Sequence, residues 1–199
     1  MPIQYARKLT GSRRSAQANQ QLGLVLAFVA GAANAGGFLA VHQYTSHMTG
    51  IVSAMADHLA LGQLRDYLAG FGALLSFIAG AACSAILVNF ARRRRLHSEF
   101  ALPLMIEALL LLGFGALGER LSHVAGLFVP LTVMLLSFIM GLQNALITKL
   151  SHAEIRTTHI TGLVTDIGIE LGKMAYWNSS DPTLAPVRAN PVRLRVLLQ

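Results

Sequence analysis

Between Leu22 and Trp177 the chain passes through six apolar segments, and four of them are long enough to cross a bilayer. These are Leu22–Val41, Tyr67–Phe90, Ala101–Gly118 and Val124–Thr148. A helix needs about 20 predominantly apolar residues for that crossing. Inside hydrocarbon each backbone N–H and C=O must find its partner within the protein, which apolar runs of this length achieve as helices. The other two segments, Gly50–Leu64 and Ile160–Trp177, are shorter and spotted with polar groups: Asp57 and His58 in one, Asp166, Glu170 and Lys173 in the other. The predicted fold is all-α, a polytopic helical membrane protein in contact with the lipid bilayer.

Charge agrees with that class. Only 13% of residues are charged, against about 25% in soluble domains, yet 16 Lys+Arg outnumber 9 Asp+Glu for a net +7. The basic residues sit between apolar runs and form no wet basic surface, so a nucleic-acid partner is not expected. One cysteine, Cys83, excludes a disulfide-stapled scaffold. No motif implies a cofactor. Ala33-Asn34-Ala35 has the small-residue pattern of a signal-peptidase site. The apolar run continues past it, however, and a related Gly-x-x-Asn recurs mid-chain, where no leader lies.

That recurrence belongs to an internal repeat. Thr45-Ser46-His47-Met48-Thr49-Gly50-Ile51-Val52-Ser53 aligns without gaps on Thr157-Thr158-His159-Ile160-Thr161-Gly162-Leu163-Val164-Thr165. Upstream, Gly31-Ala32-Ala33-Asn34-Ala35 matches Gly141-Leu142-Gln143-Asn144-Ala145, and downstream Leu61-Gly62 echoes Leu171-Gly172. Polar residues are scarce in such segments, so their coincidence carries the match. The chain then divides into a basic N-terminus (1–21), repeat 1 (22–90), a basic loop with a linking helix (91–123), repeat 2 (124–177) and a polar tail (178–199). In repeat 1 the Thr-Gly helix is followed by a full span. After repeat 2 the ending Val192–Leu198 reads as the first turns of a further helix, and truncation there is expected.

Lys and Arg collect on the cytoplasmic side of membrane proteins. If Gly50–Leu64 and Ile160–Trp177 are re-entrant and the N-terminus is cytoplasmic, every basic residue except Arg65 and Arg120 falls inside, including the Arg92–Arg95 run. The two halves are then inverted repeats with two short broken helices, an arrangement common among transporters. Residues 42–49, extended at about 3.3 Å each, reach roughly 26 Å, enough to descend to mid-depth. Ile160–Trp177 fits less easily, since about 27 Å of helix is nearly a full crossing. The alternative is that all segments span. A reporter fused at Arg65 is expected to read outside; a cytoplasmic signal there would leave only the all-spanning arrangement.

A span with Gly-x-x-Asn, a His-Met-Thr-Gly turn, an arginine-rich loop, a Gly-Leu-Gln-Asn-Ala span and a Thr-Thr-x-x-Thr-Gly turn together resemble the YoaK family of bacterial inner-membrane proteins. The resemblance covers roughly residues 22–177 and is most specific at the two Thr-Gly motifs. Many members carry Asp where this chain has Asn34, and Asn where it has Ile51. Members usually continue into a further apolar helix. The resemblance implies a multi-pass inner-membrane protein and brings no established substrate.

The candidate chemistry lies at the turns. Hydroxyls of Thr49 or Ser46, and of Thr161 or Thr158, are suited to cap the helices that follow, and Gly50 and Gly162 let a ligand approach the backbone. Helix starts at mid-depth present unpaired N–H donors and partial positive charge to a polar or anionic solute. The expected substrate-binding set is Asn34, His47, Thr49, Gly50, Asn144, His159, Thr161 and Gly162, the alternative being two packed helix caps without a ligand. Asp57, Glu107 and Asp166 are candidates for proton or ion coupling, because carboxyls in membrane segments face a cavity, a partner or a relay. Asn34 and Asn144 have interhelical hydrogen bonding as the simpler role. Seven histidines raise metal binding, but none has the helical spacing and third ligand of a metal site. Gly72, Ser76, Gly80 and Ser84 form a small-residue ladder for close helix packing, within the chain or across a homodimer.

Repeat, broken helices and membrane acids together point to a secondary transporter of a small polar or anionic solute. A channel or a non-transporting scaffold is the alternative. No nucleophile–base constellation suggests an enzyme.

Overall fold

The computed structural model describes residues 10–11, 15–121, 125–150, 160–176 and 186–192. Among them no strands occur, and the principal helices are α1 (Ala16–Val41), α2 (Met48–Ala60), α3 (Leu64–Arg93), α4 (Ala101–Leu121), α5 (Ala125–Leu150) and α6 (Ile160–Ala175). Three, over Gln17–Val41, Leu64–Arg93 and Val129–Lys149, are long and apolar enough to cross a membrane; Ala101–Ala116 is a shorter apolar stretch. Leu24, Phe28 and Leu39 point outward from α1. In water that would be a liability, whereas in lipid it is the ordinary state of a spanning helix.

Local chemistry sets the ends. Ser15 caps α1, its Oγ accepting from the Ala18 N–H at 3.2 Å. His42, left-handed at φ 53, closes it by donating its backbone N–H to the Phe38 carbonyl. A three-residue turn at Leu61–Gln63, with Gly62 at φ 71, reverses α2 into α3. Asp66 in the first turn of α3 and Arg92 and Arg93 in its last turn complement the helix dipole.

α3 is the central helix. It is 30 residues long, about 45 Å at 1.5 Å per residue, and α2, α5 and α6 all pack on it. Against α5 the fit is backbone to backbone: a Cβ on Gly80 would strike the Phe138 carbonyl, and one on Gly141 would strike the Phe77 carbonyl. Helices in lipid gain little from burying apolar surface, so such close approach is their main source of cohesion. The ladder from Gly72 to Ser84 is used here. Gly72 faces Met134, while Gly80 and Ser84 are buried within the chain. Of the two packing roles open to the ladder, the one within the chain is seen, with α5 as the partner helix.

Two short helices lie along opposite halves of α3. Met48, at the start of α2, shares a cluster with Phe77 near the midpoint of α3, and Met55 packs against Gly70 nearer its beginning. Val164 of α6 joins the same Phe77 cluster, Gly168 and Gly172 press on Ala81, Ala82 and Ala85, and Tyr176 lies under the Arg93 guanidinium at 5.3 Å. So α2 runs from mid-level toward the Leu64 end, and α6 from mid-level toward the Arg93 end. The sequence overstates α6, which stops at Ala175 and spans about 24 Å.

Candidate functional site

The starts of α2 and α6 meet at one cavity. Its volume is about 510 Å³, and it is lined by Asn34, Tyr44, Ser46, His47, Thr49 and Thr161. Both Thr-Gly turns therefore contribute a threonine to the wall of the same space. No carboxylate, lysine or arginine is among these six residues. The local electrostatics come from hydroxyls, one imidazole, one amide and the two helix starts.

The first of those starts is open. The N-cap of α2 is His47, which makes no side-chain cap bond. Neither Thr49 nor Ser46 sits at the capping position expected of it, because the helix begins at Met48, one residue before Thr49 and two residues after Ser46. Ile51 is the first residue of the turn whose N–H finds a backbone acceptor, the His47 carbonyl at 3.1 Å. The donors ahead of it are the ones a helix leaves for a side chain, water or ligand. On α6, Thr165 Oγ1 donates to the Thr161 carbonyl at 2.7 Å, and Thr161 lines the cavity. Thr158 and His159 lie outside the described residues.

The two asparagines part ways. Asn34 faces the cavity, and its Oδ1 is buried without a partner. Asn144 instead donates through Nδ2 to the Met140 carbonyl one turn back on its own helix, at 2.8 Å. A short amide within a helix satisfies itself in this way when no neighbouring group competes. Of the two glycines, Gly50 is exposed and lines an adjoining cavity, while Gly162 is half-buried.

None of the three acids lines the polar cavity. Asp57 is exposed on α2, two turns beyond Thr49, and Asp166 is buried on α6. Glu107 is buried on α4, where its Oε1 accepts from Gln143 Nε2 at 2.9 Å; the same amide nitrogen donates to the Leu26 carbonyl at 3.0 Å. One side chain of α5 thus ties α1 and α4 together. Gln143→Leu removes both bonds, and is expected to lower stability in detergent by about 1 kcal/mol, read as a fall in melting temperature. Glu107→Gln, which keeps an acceptor for Gln143, is expected to lower it less. An unchanged melt for Gln143→Leu would mean that the bridge contributes nothing.

Tyr44 and Ser46 are cavity residues absent from the expected set. The signal was the polar run from His42 to His47 between two apolar helices. Tyr44 is fixed by stacking on Phe38, ring centroids 4.8 Å apart. Beside them Thr45 is buried, its hydroxyl unpartnered.

Comparison with known proteins agrees with the class. The chain is 29% identical over 162 residues to the UPF0700 transmembrane protein YoaK of Bacillus subtilis (strain 168), an alignment covering 80% of this chain and 70% of that protein. No solved structure matches. Residues 22–198 match the model of the family described as "Protein of unknown function (DUF1275)". With its apolar spans, its paired Thr-Gly turns and this match along most of its length, the chain is a transmembrane protein and belongs to the DUF1275 family.

Proposed function

We propose that the protein is a secondary transporter of a small polar or anionic solute in the bacterial inner membrane, with its N-terminus cytoplasmic. The solute is held near mid-depth between the two Thr-Gly turns. One observation carries this: Thr49 and Thr161, far apart in sequence and matched in the repeat, line a single polar cavity. Irregular backbone at membrane depth is tolerated where it is buried in protein or lines a water-filled space, and Tyr44, Ser46 and His47 of the α1–α2 connection line the cavity.

An inverted repeat explains the placement. The repeat mates α1 and α5 pack on each other, as do α2 and α6, and the two short helices leave Phe77 in opposite directions. In this reading a pseudo-two-fold axis relates the two halves, as in transporters whose halves rock about a fixed site. Coupling is assigned to Asp166, five residues after Thr161 and so about 7.5 Å further along α6. Glu107 is given the tying role described above. Asp57 faces outward and takes no part at the site.

The test is solute entry into proteoliposomes holding the purified protein, for a panel of labelled small acids, alcohols and amides, wild type against Thr161→Val. Saturable entry lost in the variant supports the proposal. Entry that never saturates favours a channel, and no entry at all favours a scaffold.

A further inference from the structure

We infer that the helix beginning at Pro191 is the repeat mate of α3, and that it docks on the open face of α1 beside α6. The packing is independent of whether a solute is carried.

The two helices are anchored alike. Continued without a gap, the Thr-Gly alignment sets Glu170 of α6 against His58 of α2. Each reaches the residue that starts the next helix. His58 Nδ1 is hydrogen-bonded to Gln63 Oε1 at 2.6 Å, and Gln63 is the N-cap of α3. Glu170 Oε2 accepts from the backbone N–H of Asn190 at 2.8 Å, and Pro191 and Val192, directly after it, are helical. Asn190 also caps them, its Oδ1 accepting from the Val192 N–H at 3.1 Å. Asparagine at the cap with proline at the first helical position is a favoured helix start.

The surface such a helix needs is present and uncovered. On α5, the repeat mate of α1, three residues meet α3: Met134 against Gly72, the Phe138 carbonyl against Gly80, and Gly141 against the Phe77 carbonyl. In the Gly31–Gly141 alignment the same positions of α1 are Leu24, Phe28 and Gly31. Leu24 is 66% and Phe28 78% exposed, and Gly31 has nothing within 4 Å of an added Cβ. On α2, Met55 packs against Gly70 of α3, and its mate on α6 is the half-buried Ile167. A helix starting at Pro191 in the register of α3 puts Leu197 where Gly70 stands and Gln199 where Gly72 stands. Leu197 then meets Ile167, and Gln199 meets Leu24. From Pro191 to Gln199 such a helix is about 13 Å long, so it covers Leu24 and stops short of Gly31. Close packing of this kind, side chain into the neighbour's surface, is what holds helices together in lipid.

Cysteine pairs test the register. Leu24→Cys and Gln199→Cys are combined in a Cys83→Ser background, and Ile167→Cys with Leu197→Cys in a second protein. Mild oxidation of membranes holding the full chain is expected to close a disulfide within one chain in both, seen as a faster-running band that a reductant reverses. Asn190→Pro, at an exposed position, removes the donated N–H and the side-chain cap. It is expected to slow closure of the first pair about tenfold. Closure between two chains, in place of closure within one, would put a second copy on the face and overturn the proposal. No closure in either protein would leave the face to lipid and would also overturn it. Closure as fast in the Asn190→Pro variant would mean that the helix is not anchored as α3 is, and would overturn its equivalence to α3.

Discussion

Thr161→Val is expected to abolish saturable solute entry while folded protein accumulates in the membrane at wild-type levels. Valine has nearly the shape of threonine, and Thr161 lines the cavity. The only described bond at that residue uses its backbone carbonyl, which the substitution keeps. Losing one hydrogen bond to a desolvated ligand costs about 1–3 kcal/mol, or roughly 5- to 150-fold in affinity. Thr49→Val is expected to act with similar size from the facing turn. The double variant should lose no more entry than the worse single variant once the site no longer holds solute. Serine at either position keeps the hydroxyl and should restore most of the entry. Unchanged entry in both single variants would mean that the two turns are packed caps and nothing more.

The second large effect is structural, and it separates two glycines that the repeat aligns. Gly141→Ala places a methyl group on the Phe77 carbonyl, backbone that cannot yield, so α3 and α5 must move apart. Overpacking of this kind costs about 1–3 kcal/mol or more, against a gain of about 0.5–1 kcal/mol from replacing a helical glycine. A clear fall in melting temperature is expected, and Gly141→Leu is expected to yield no folded protein. Gly31, the repeat mate of Gly141, has nothing within 4 Å of an added Cβ. Gly31→Ala should therefore collect only the helix gain and melt slightly higher. Opposite signs at aligned positions are the expected result. A fall of equal size at both would contradict the packing of α3 on α5.

How much of this was legible beforehand follows from which physical signal each feature leaves in a linear sequence. Helix existence was legible throughout, because runs such as Tyr67–Phe90 satisfy the bilayer's length requirement without help from tertiary structure. The pairing of the Thr49 and Thr161 turns was legible through the repeat, since hydroxyls, His and Gly stand out where most neighbours are apolar. The ladder Gly72–Ser84 announced close packing but not its partner: nothing local to α3 states whether Phe138 or another copy will press on Gly80. Asn34 and Asn144 look equivalent in sequence and are not. An asparagine can turn back to its own helix or outward to a cavity, and the surroundings decide. His47 as the uncapped start of α2 was hidden for a related reason, because several hydroxyls nearby were equally able to cap. Gln143 was passed over inside the Gly-Leu-Gln-Asn-Ala motif, though a glutamine within a span is a polar group that must find partners, and it found Glu107 and the Leu26 carbonyl.

The most direct test asks whether the two turns face one solute-sized space in the membrane. Thr49→Cys and Thr161→Cys are combined in a Cys83→Ser background, which removes the chain's one native cysteine. A bifunctional thiol reagent no longer than a small metabolite is then applied to native membranes. The expected result is rapid cross-linking within one chain, absent from either single-cysteine protein and slowed by a transported solute. If both cysteines react with a monofunctional reagent yet never cross-link, the turns do not share a cavity, and the solute site proposed between them does not exist.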